Sequence, residues 1–260
     1  MEKNSDPSIG IVIPARLGGV RLPAKVLFDF HGLPMIEHVR RRGLLNSFGV
    51  PVIVASGDDE ILETIRNFGG TAIKSERDHL NGMSRVGEVA EKLDFDYYLV
   101  LQGDEILSLP RHIDQMISRI KSHNVKTSIN AITPLDDVSE LTDVSIVKCV
   151  LDCEQRILGM FRNSPLTSTN SIQMGLVRKV SGLFAFSKQG LKRIIQSKPQ
   201  PIETSESIEH MRILELGYQL DSVLLDKNLA SVNLPRDVKL VQESLIADSE
   251  QIAILNKVLK

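Results

Sequence analysis

The chain has 260 residues, a formal net charge of -2, an apolar share of 42% and an aromatic share of 4%. That length suits one sizeable domain (residues 1–260) around an aliphatic core, and a charge so near balance excludes a chain built for non-specific binding to nucleic acid or membrane. Two cysteines, Cys149 and Cys153, with no histidine close in sequence, exclude a disulfide framework and a zinc site and suit a reducing compartment.

The opening "MEKNSDPS" lacks the apolar core of a signal peptide, and no apolar run is long enough to span a bilayer, so the cytoplasm is the expected location. From there "IGIVIPA", "VPVIVAS" and "YYLVLQ" read as buried parallel strands, short and rich in Val, Ile and Leu. Between them residues Met35 to Asn46, Asp59 to Phe68 and Gly82 to Leu93 carry apolar side chains at helical spacing. Pro34 suits the first turn of its helix and Asp58 the cap of the next. This alternation predicts right-handed crossovers and a doubly wound α/β sheet.

The second half reads differently. "TSINAI", "SIVKCVLD", "ILGMF" and "GLFAFS" predict strands, the middle pair turning at "DCEQR" as a hairpin. "NSPLTSTNSIQ" reads as a mobile loop. Lys188 to Gln196 predicts a helix, and Glu206 to Leu216 a longer one. The expectation is a Rossmann-like mixed sheet flanked by helices, with a small inserted hairpin lobe.

Ligands of open α/β sheets bind at the carboxyl ends of the strands, where three polar clusters fall. The stretch "PARLGGVRLPAK" after the first strand holds Arg16, Gly18, Gly19, Arg21 and Lys25. Its glycines let backbone amides approach a phosphate and its cations supply charge, although a solvated basic loop reads the same way. It is not a Walker A loop, since no Gly-Lys-Ser/Thr closes it. "LQGDE" places Asp104 where an aspartate can hold Mg2+ beside substrate phosphates, with Gln102 as a neutral neighbour; a turn carboxylate capping the next helix is the plainer alternative. "RDHLNGMSR" brings His79, Asn81 and Gly82 to a helix start. Each signal alone is weak, but three at successive strand ends point to a nucleotide. No Gly-x-Ser-x-Gly elbow or activated cysteine suggests a covalent nucleophile. Glu203, Glu206 and Glu209 read as a solvated helix face, with Glu209 and Arg212 spaced to pair.

Together "VIPARLGGVRLPAKVL", "GLPMIEHV", "DHLNGMSR" and "LQGDE" resemble the 3-deoxy-manno-octulosonate cytidylyltransferases, the CMP-Kdo synthetase family. Weaker similarity runs through "VKCVLD", "GLFAFS", "ESIEHMRILELGYQL" and "SVNLPRDV". The resemblance implies a nucleotide-diphospho-sugar transferase fold, a homodimer and a need for Mg2+. It further implies attack of a sugar acid's anomeric hydroxyl on the α-phosphate of CTP, for lipopolysaccharide or surface-glycan synthesis. By the same resemblance Arg16 and Lys25 neutralise the triphosphate, supported by Ala15, Gly18, Gly19 and Arg21. Gln102 faces the nucleotide or sugar, and Asp104 holds the metal. His79, Asn81 and Gly82 form the base and ribose side, with Arg85 bracing them.

The departures are specific. The family's Gly and Pro beside the lysine are Ala24 and Val26, and the Ser and Thr of the third motif are Asn81 and Met83. The second metal-binding aspartate falls on Asn233, which brings an oxygen without charge. On the sugar side the family's Ser-Arg is Arg162-Asn163, its His-x-Gly-Ile-Tyr falls on Val180 to Phe184, and its Glu-Gln is Glu209-His210. These changes imply either a different acceptor, such as an 8-amino relative of Kdo, or a catalytically decayed nucleotide-binding paralogue with a regulatory role.

Overall fold

The structure is a computed structural model and describes residues 6–18, 22–79, 81–122 and 125–260. Gly19 and Arg21 therefore lie outside the described residues. The chain forms two compact units, Met1–Lys121 with Leu229–Lys260, and Ser122–Asn228.

In chain order the first unit contributes β1 (Ile9–Ala15), the short pair β2 (Asp29–Phe30) and β3 (Leu33–Pro34), α1 (Met35–Leu44), β4 (Val52–Ser56), α2 (Asp59–Asn67), β5 (Thr71–Lys74), α3 (Gly82–Ala90), β6 (Tyr97–Leu101) and α4 (Pro110–Ser122). β6, β1, β4 and β5 lie side by side in that order, all parallel. Every residue of β4 and β6 is buried, which is why these strands are continuous aliphatic runs rather than alternating ones. α2 buries Ile61, Leu62 and Ile65, the stripe its spacing foretells.

The second unit holds β7 (Ser128–Thr133), β8 (Lys148–Leu151), β9 (Ile157–Phe161), α5 (Asn170–Leu176), β10 (Val177–Ser187), α6 (Lys188–Gln196), α7 (Pro201–Glu206), α8 (Met211–Glu215) and β11 (Leu220–Leu224). Here β10 runs antiparallel to both β7 and β8, β8 and β9 form the expected hairpin, and β11 lies parallel to β7, so the strands are mixed. The chain then returns to the first unit as α9 (Pro235–Ala247) and α10 (Ser249–Val258). There Ile254 and Val258 pack with Leu33 and Leu109, and Gln251 donates to the Leu107 carbonyl at 2.8 Å. No helix among the described residues is long and apolar enough to cross a membrane.

The mixed α/β class stands as expected from sequence. Two local expectations do not. The last four residues of "NSPLTSTNSIQ" enter α5, where Gln173 is buried and its amide donates to the Leu166 and Ser168 carbonyls. The single helix from Glu206 to Leu216 is instead broken into α7 and α8, because Ser207 adopts a left-handed backbone (φ 53) that ends α7. Arg212 pairs with Glu203 at 2.5 and 2.7 Å, with both partners buried. Glu203 is thus an interior ion-pair partner and not part of a solvated face.

Candidate active site

Parallel strands bring the loops after β1, β4, β5 and β6 to one edge of the first unit's sheet. The loop after β1 leaves from buried Ala15 and carries exposed Arg16 and Gly18. It is tied at both ends: the Leu17 amide donates to Asp58 Oδ2 at 2.8 Å, and the Ala24 amide to the Leu17 carbonyl at 2.9 Å. Asp58 does occupy the cap position of α2, but its carboxylate holds this loop and makes no side-chain cap hydrogen bond to the helix. Ala24 sits at φ 52, a left-handed conformation that costs a residue with a Cβ about 1–2 kcal/mol. That backbone turn delivers Lys25.

The Lys25 ammonium donates to Asp104 Oδ2 at 2.7 Å and to the Val232 carbonyl at 2.7 Å, and lies 3.5 Å from Asn233 Oδ1. Asp104 follows β6 through Gly103, where a Cβ would come within 3.2 Å of the Pro14 carbonyl, so glycine lets this turn close on the end of β1. Gln102 is half-buried at the start of the turn. The Val232 amide donates to the Asp104 carbonyl at 3.2 Å, which docks residues 232–233 on the same turn.

After β5, Glu88 of α3 organises the third cluster. It is buried, and it accepts from the Glu76 amide at 2.8 Å, the Arg77 amide at 3.2 Å and His79 Nε2 at 2.6 Å. Burial works against its charge, yet the Glu76 amide, the His79 ring and the Arg77 amide bring the carboxyl down to about 2. Asn81 caps α3, its Oδ1 accepting from the Ser84 amide at 3.0 Å, and Gly82 opens the helix. Arg85 is buried and donates through Nη1 to Ser75 Oγ; burial lowers its pKa, opposed by the charge of Asp58 and aided by that of Arg16.

The sugar-side candidates all belong to the second unit. Arg162, at the end of β9, donates to the Glu206 carbonyl at 2.8 Å, the Ser207 carbonyl at 3.0 Å and the Val144 carbonyl at 2.8 Å. Asn163 beside it is exposed. Phe184 on β10 meets the His210 ring edge-on at 4.2 Å and Phe186 at 5.6 Å. His210 is buried with Nε2 lacking a hydrogen-bond partner, and burial pushes its pKa down to about 4. Glu209 precedes it, half-buried.

The cytidylyltransferase family profile matches residues 10–223. The chain belongs to the cytidylyltransferase family. It is 34% identical over 239 residues to the 3-deoxy-manno-octulosonate cytidylyltransferase of Chlorobium limicola, covering 90% of this chain and 96% of that one. It is 33% identical over 213 residues to the Escherichia coli protein of the same name, covering 81% and 85%. The solved structure of CMP:2-keto-3-deoxy-manno-octonic acid synthetase complexed with CTP matches with a TM-score of 0.85 at 29% identity, over 92% of this chain and 98% of that one. The inositol-1-phosphate CTP transferase from T. maritima shares the fold alone, with a TM-score of 0.62 at 15% identity over 98% of each chain.

As a cytidylyltransferase the chain is a nucleotidyltransferase enzyme, and its geometry groups the sequence candidates in three sets. Lys25, Asp104 and Asn233 meet directly, while His79 bonds Glu88, Asn81 and Gly82 begin α3, and Arg85 on that helix reaches Ser75. Phe184 and His210 meet in the second unit, and Arg162 holds the turn just before Glu209. Three groups that sequence reading did not single out for the site contact its candidate residues: the Asp58 tether, the Glu88 carboxylate and the Val232 carbonyl. Asp58 was visible as a cap and Glu88 as a polar residue on the buried side of a helical stripe. A main-chain carbonyl leaves no signal in sequence.

Among the described residues no three His, Cys, Asp or Glu side chains cluster to make an all-protein metal cage. The donors around Asp104 are nonetheless all oxygen: a carboxylate, a main-chain carbonyl and an amide. Such a set fits Mg2+ held by few protein ligands with substrate phosphates completing the shell.

Proposed function

We propose that this cytidylyltransferase transfers CMP from CTP to the anomeric hydroxyl of Kdo or a Kdo-like sugar acid. The observation that carries the reading is the meeting of Lys25, Asp104 and Asn233 at the strand ends beside the Arg16 loop. The anomeric oxygen forms a bond to the α-phosphorus while the bond to the bridging oxygen of the β-phosphate breaks. Pyrophosphate leaves with that electron pair, and the hydroxyl proton passes to solvent. No enzyme nucleophile takes part, so catalysis is positioning and charge neutralisation.

Arg16 and Lys25 bind the phosphate oxygens, the loop tethered by Asp58 offers them backbone amides, and Asp104 with Asn233 would hold Mg2+. The metal, when bound, offsets negative charge on the phosphates. His79, Asn81 and Gly82 take the base and ribose side. Arg162, Asn163, Glu209 and the Phe184–His210 pair read the acceptor. Replacing a hydroxyl and an amide by a ring pair removes hydrogen-bonding groups, which favours an acceptor other than unmodified Kdo, and an 8-amino sugar acid is the first candidate. A homodimer is the expected assembly, checked by light scattering.

The test is pyrophosphate release from CTP and Mg2+ with Kdo, its 8-amino relative and several nonulosonic acids, with Asp104→Ala as control. Turnover with one acid, lost in the variant, is the expected result. Silence across the panel in protein that binds CTP would replace this reading with a nucleotide-binding regulator.

A further inference from the structure

Three oxygens around Lys25 define a single cation position. Asp104 Oδ2 and the Val232 carbonyl are each 2.7 Å from Nζ, and Asn233 Oδ1 is 3.5 Å away. An ammonium carries three protons, one for each acceptor. The position is held firmly. The Asn233 amide donates to Asp237 Oδ2 at 2.9 Å and its Nδ2 to Ser231 Oγ at 2.8 Å, which leaves Oδ1 toward the ammonium. The Lys25 side chain is 21% exposed and that of Asp104 17%, so solvent screens the pair only in part.

These are also the oxygens that suit a divalent ion, and one position cannot serve both cations. We propose that Lys25 is the resident cation of the Asp104 position in the nucleotide-free enzyme and bars divalent metal from it. Metal then enters only once a polyanionic ligand has drawn the ammonium away. The second half of this inference rests on reading the site as one for a nucleoside triphosphate; the competition between lysine and metal does not.

The charges explain why the bar holds in this chain. Asp104 carries one negative charge, Lys25 one positive and Asn233 none, so the three groups at the position sum to neutral. The Asp237 carboxylate is turned to the Asn233 and Leu234 amides. A hydrated magnesium ion sheds water reluctantly and gains little from a neutral cluster. Were residue 233 an aspartate, the cluster would keep a net negative charge with Lys25 in place. Asn233 therefore makes metal binding depend on the ligand's phosphates, which offer Lys25 another anion and give the metal oxygens of its own.

The experiment uses Mn2+ alone as probe, its binding read by water-proton relaxation in the full chain without nucleotide. Wild type is compared with Lys25→Met, Asn233→Asp and Asp104→Asn, with thermal melts to confirm that each is folded. Lys25→Met and Asn233→Asp are expected to bind Mn2+ about 10-fold more tightly than wild type, because ligand charge sets affinity at such sites. Wild type should bind no more tightly than Asp104→Asn. Wild-type affinity equal to that of Lys25→Met, and lost in Asp104→Asn, would overturn the inference. CTP affinity measured calorimetrically in EDTA separates the two readings. No CTP binding would sink the nucleotide reading, while the metal titrations would still decide whether Lys25 bars the ion.

Discussion

In the first unit Lys25 meets the opposite charge of Asp104, and His79 hydrogen-bonds the Glu88 carboxylate. In the second, by contrast, Arg162 meets three main-chain carbonyls and Phe184 meets the His210 ring. An ion pair at a phosphate site can exchange partners when a polyanion arrives. A carbonyl-bound arginine and a buried ring pair set a shape instead. On the proposed reading, the first unit supplies general anion chemistry close to the family pattern and the second supplies acceptor chemistry that departs from it.

The strongest way to break this comparison lies in the second unit's one buried ion pair described above. Arg212→Ala leaves Glu203 buried without its partner and should cost about 3–5 kcal/mol, measured by urea denaturation. A loss below ~1 kcal/mol would mean that charge matters little to that unit's architecture. Next is Lys25→Ala, expected to lower pyrophosphate release about 100- to 1000-fold in kcat, as for removal of one preorganised charge-stabilising donor. A change confined to KM would assign Lys25 to ground-state binding alone.

Glu88→Gln sharpens the picture of the braced loop. It weakens three hydrogen bonds to a buried carboxylate and should cost about 2 kcal/mol at neutral pH. Because the folded pKa is about 2 against an ordinary 4.5, the stability Glu88 supplies is complete above pH 4.5 and is lost as pH falls toward 2. The gap between wild type and variant should close in that window; a gap independent of pH would show that charge is not the cause.

The smallest effect belongs to His210→Gln, about 1 kcal/mol or less at neutral pH, from the lost edge-on ring contact. Its pH signature lies elsewhere. His210 titrates near 4 when folded and near 6.5 when unfolded, so between these values the unfolded chain holds the extra proton and stability falls as pH is lowered. The variant should fall less steeply from pH 6.5 to 4. His38, also lowered to about 4 by burial, keeps part of the slope. Parallel curves for wild type and variant would place His210 outside this account.

Legibility followed the range of the interactions. The limits of β1 and α6 match the sequence reading residue for residue, since aliphatic runs and helical spacing are local signals. Asn81 was placed at the start of a helix, and it caps α3. The break between α7 and α8 was missed because apolar spacing continues across Ser207 and nothing in a serine announces a left-handed backbone. α4, β11, α9 and α10 have no counterpart in the sequence reading, and Asn170–Gln173 of α5 fall within its expected loop. At the site, Arg16, Lys25 and Asp104 were legible as motif residues, but the contact between Lys25 and Asp104 spans 79 positions and that between Leu17 and Asp58 spans 41. Pairings at that separation belong to the fold, not to any window of sequence.

The return of Leu229–Lys260 to the first unit bears on how the protein is made. During synthesis, β1 to α4 emerge long before Ile254 and Val258 can cover Leu33 and Leu109, and before Val232 can offer its carbonyl to Lys25. The intervening unit has all its residues first. A nascent chain therefore exposes an unfinished core while its middle is made, and the later segment Leu229–Lys260 both covers that core and completes the cation position. Chains interrupted before Leu229 leave Leu33 and Leu109 uncovered, the kind of exposed apolar surface that chaperones and proteases recognise.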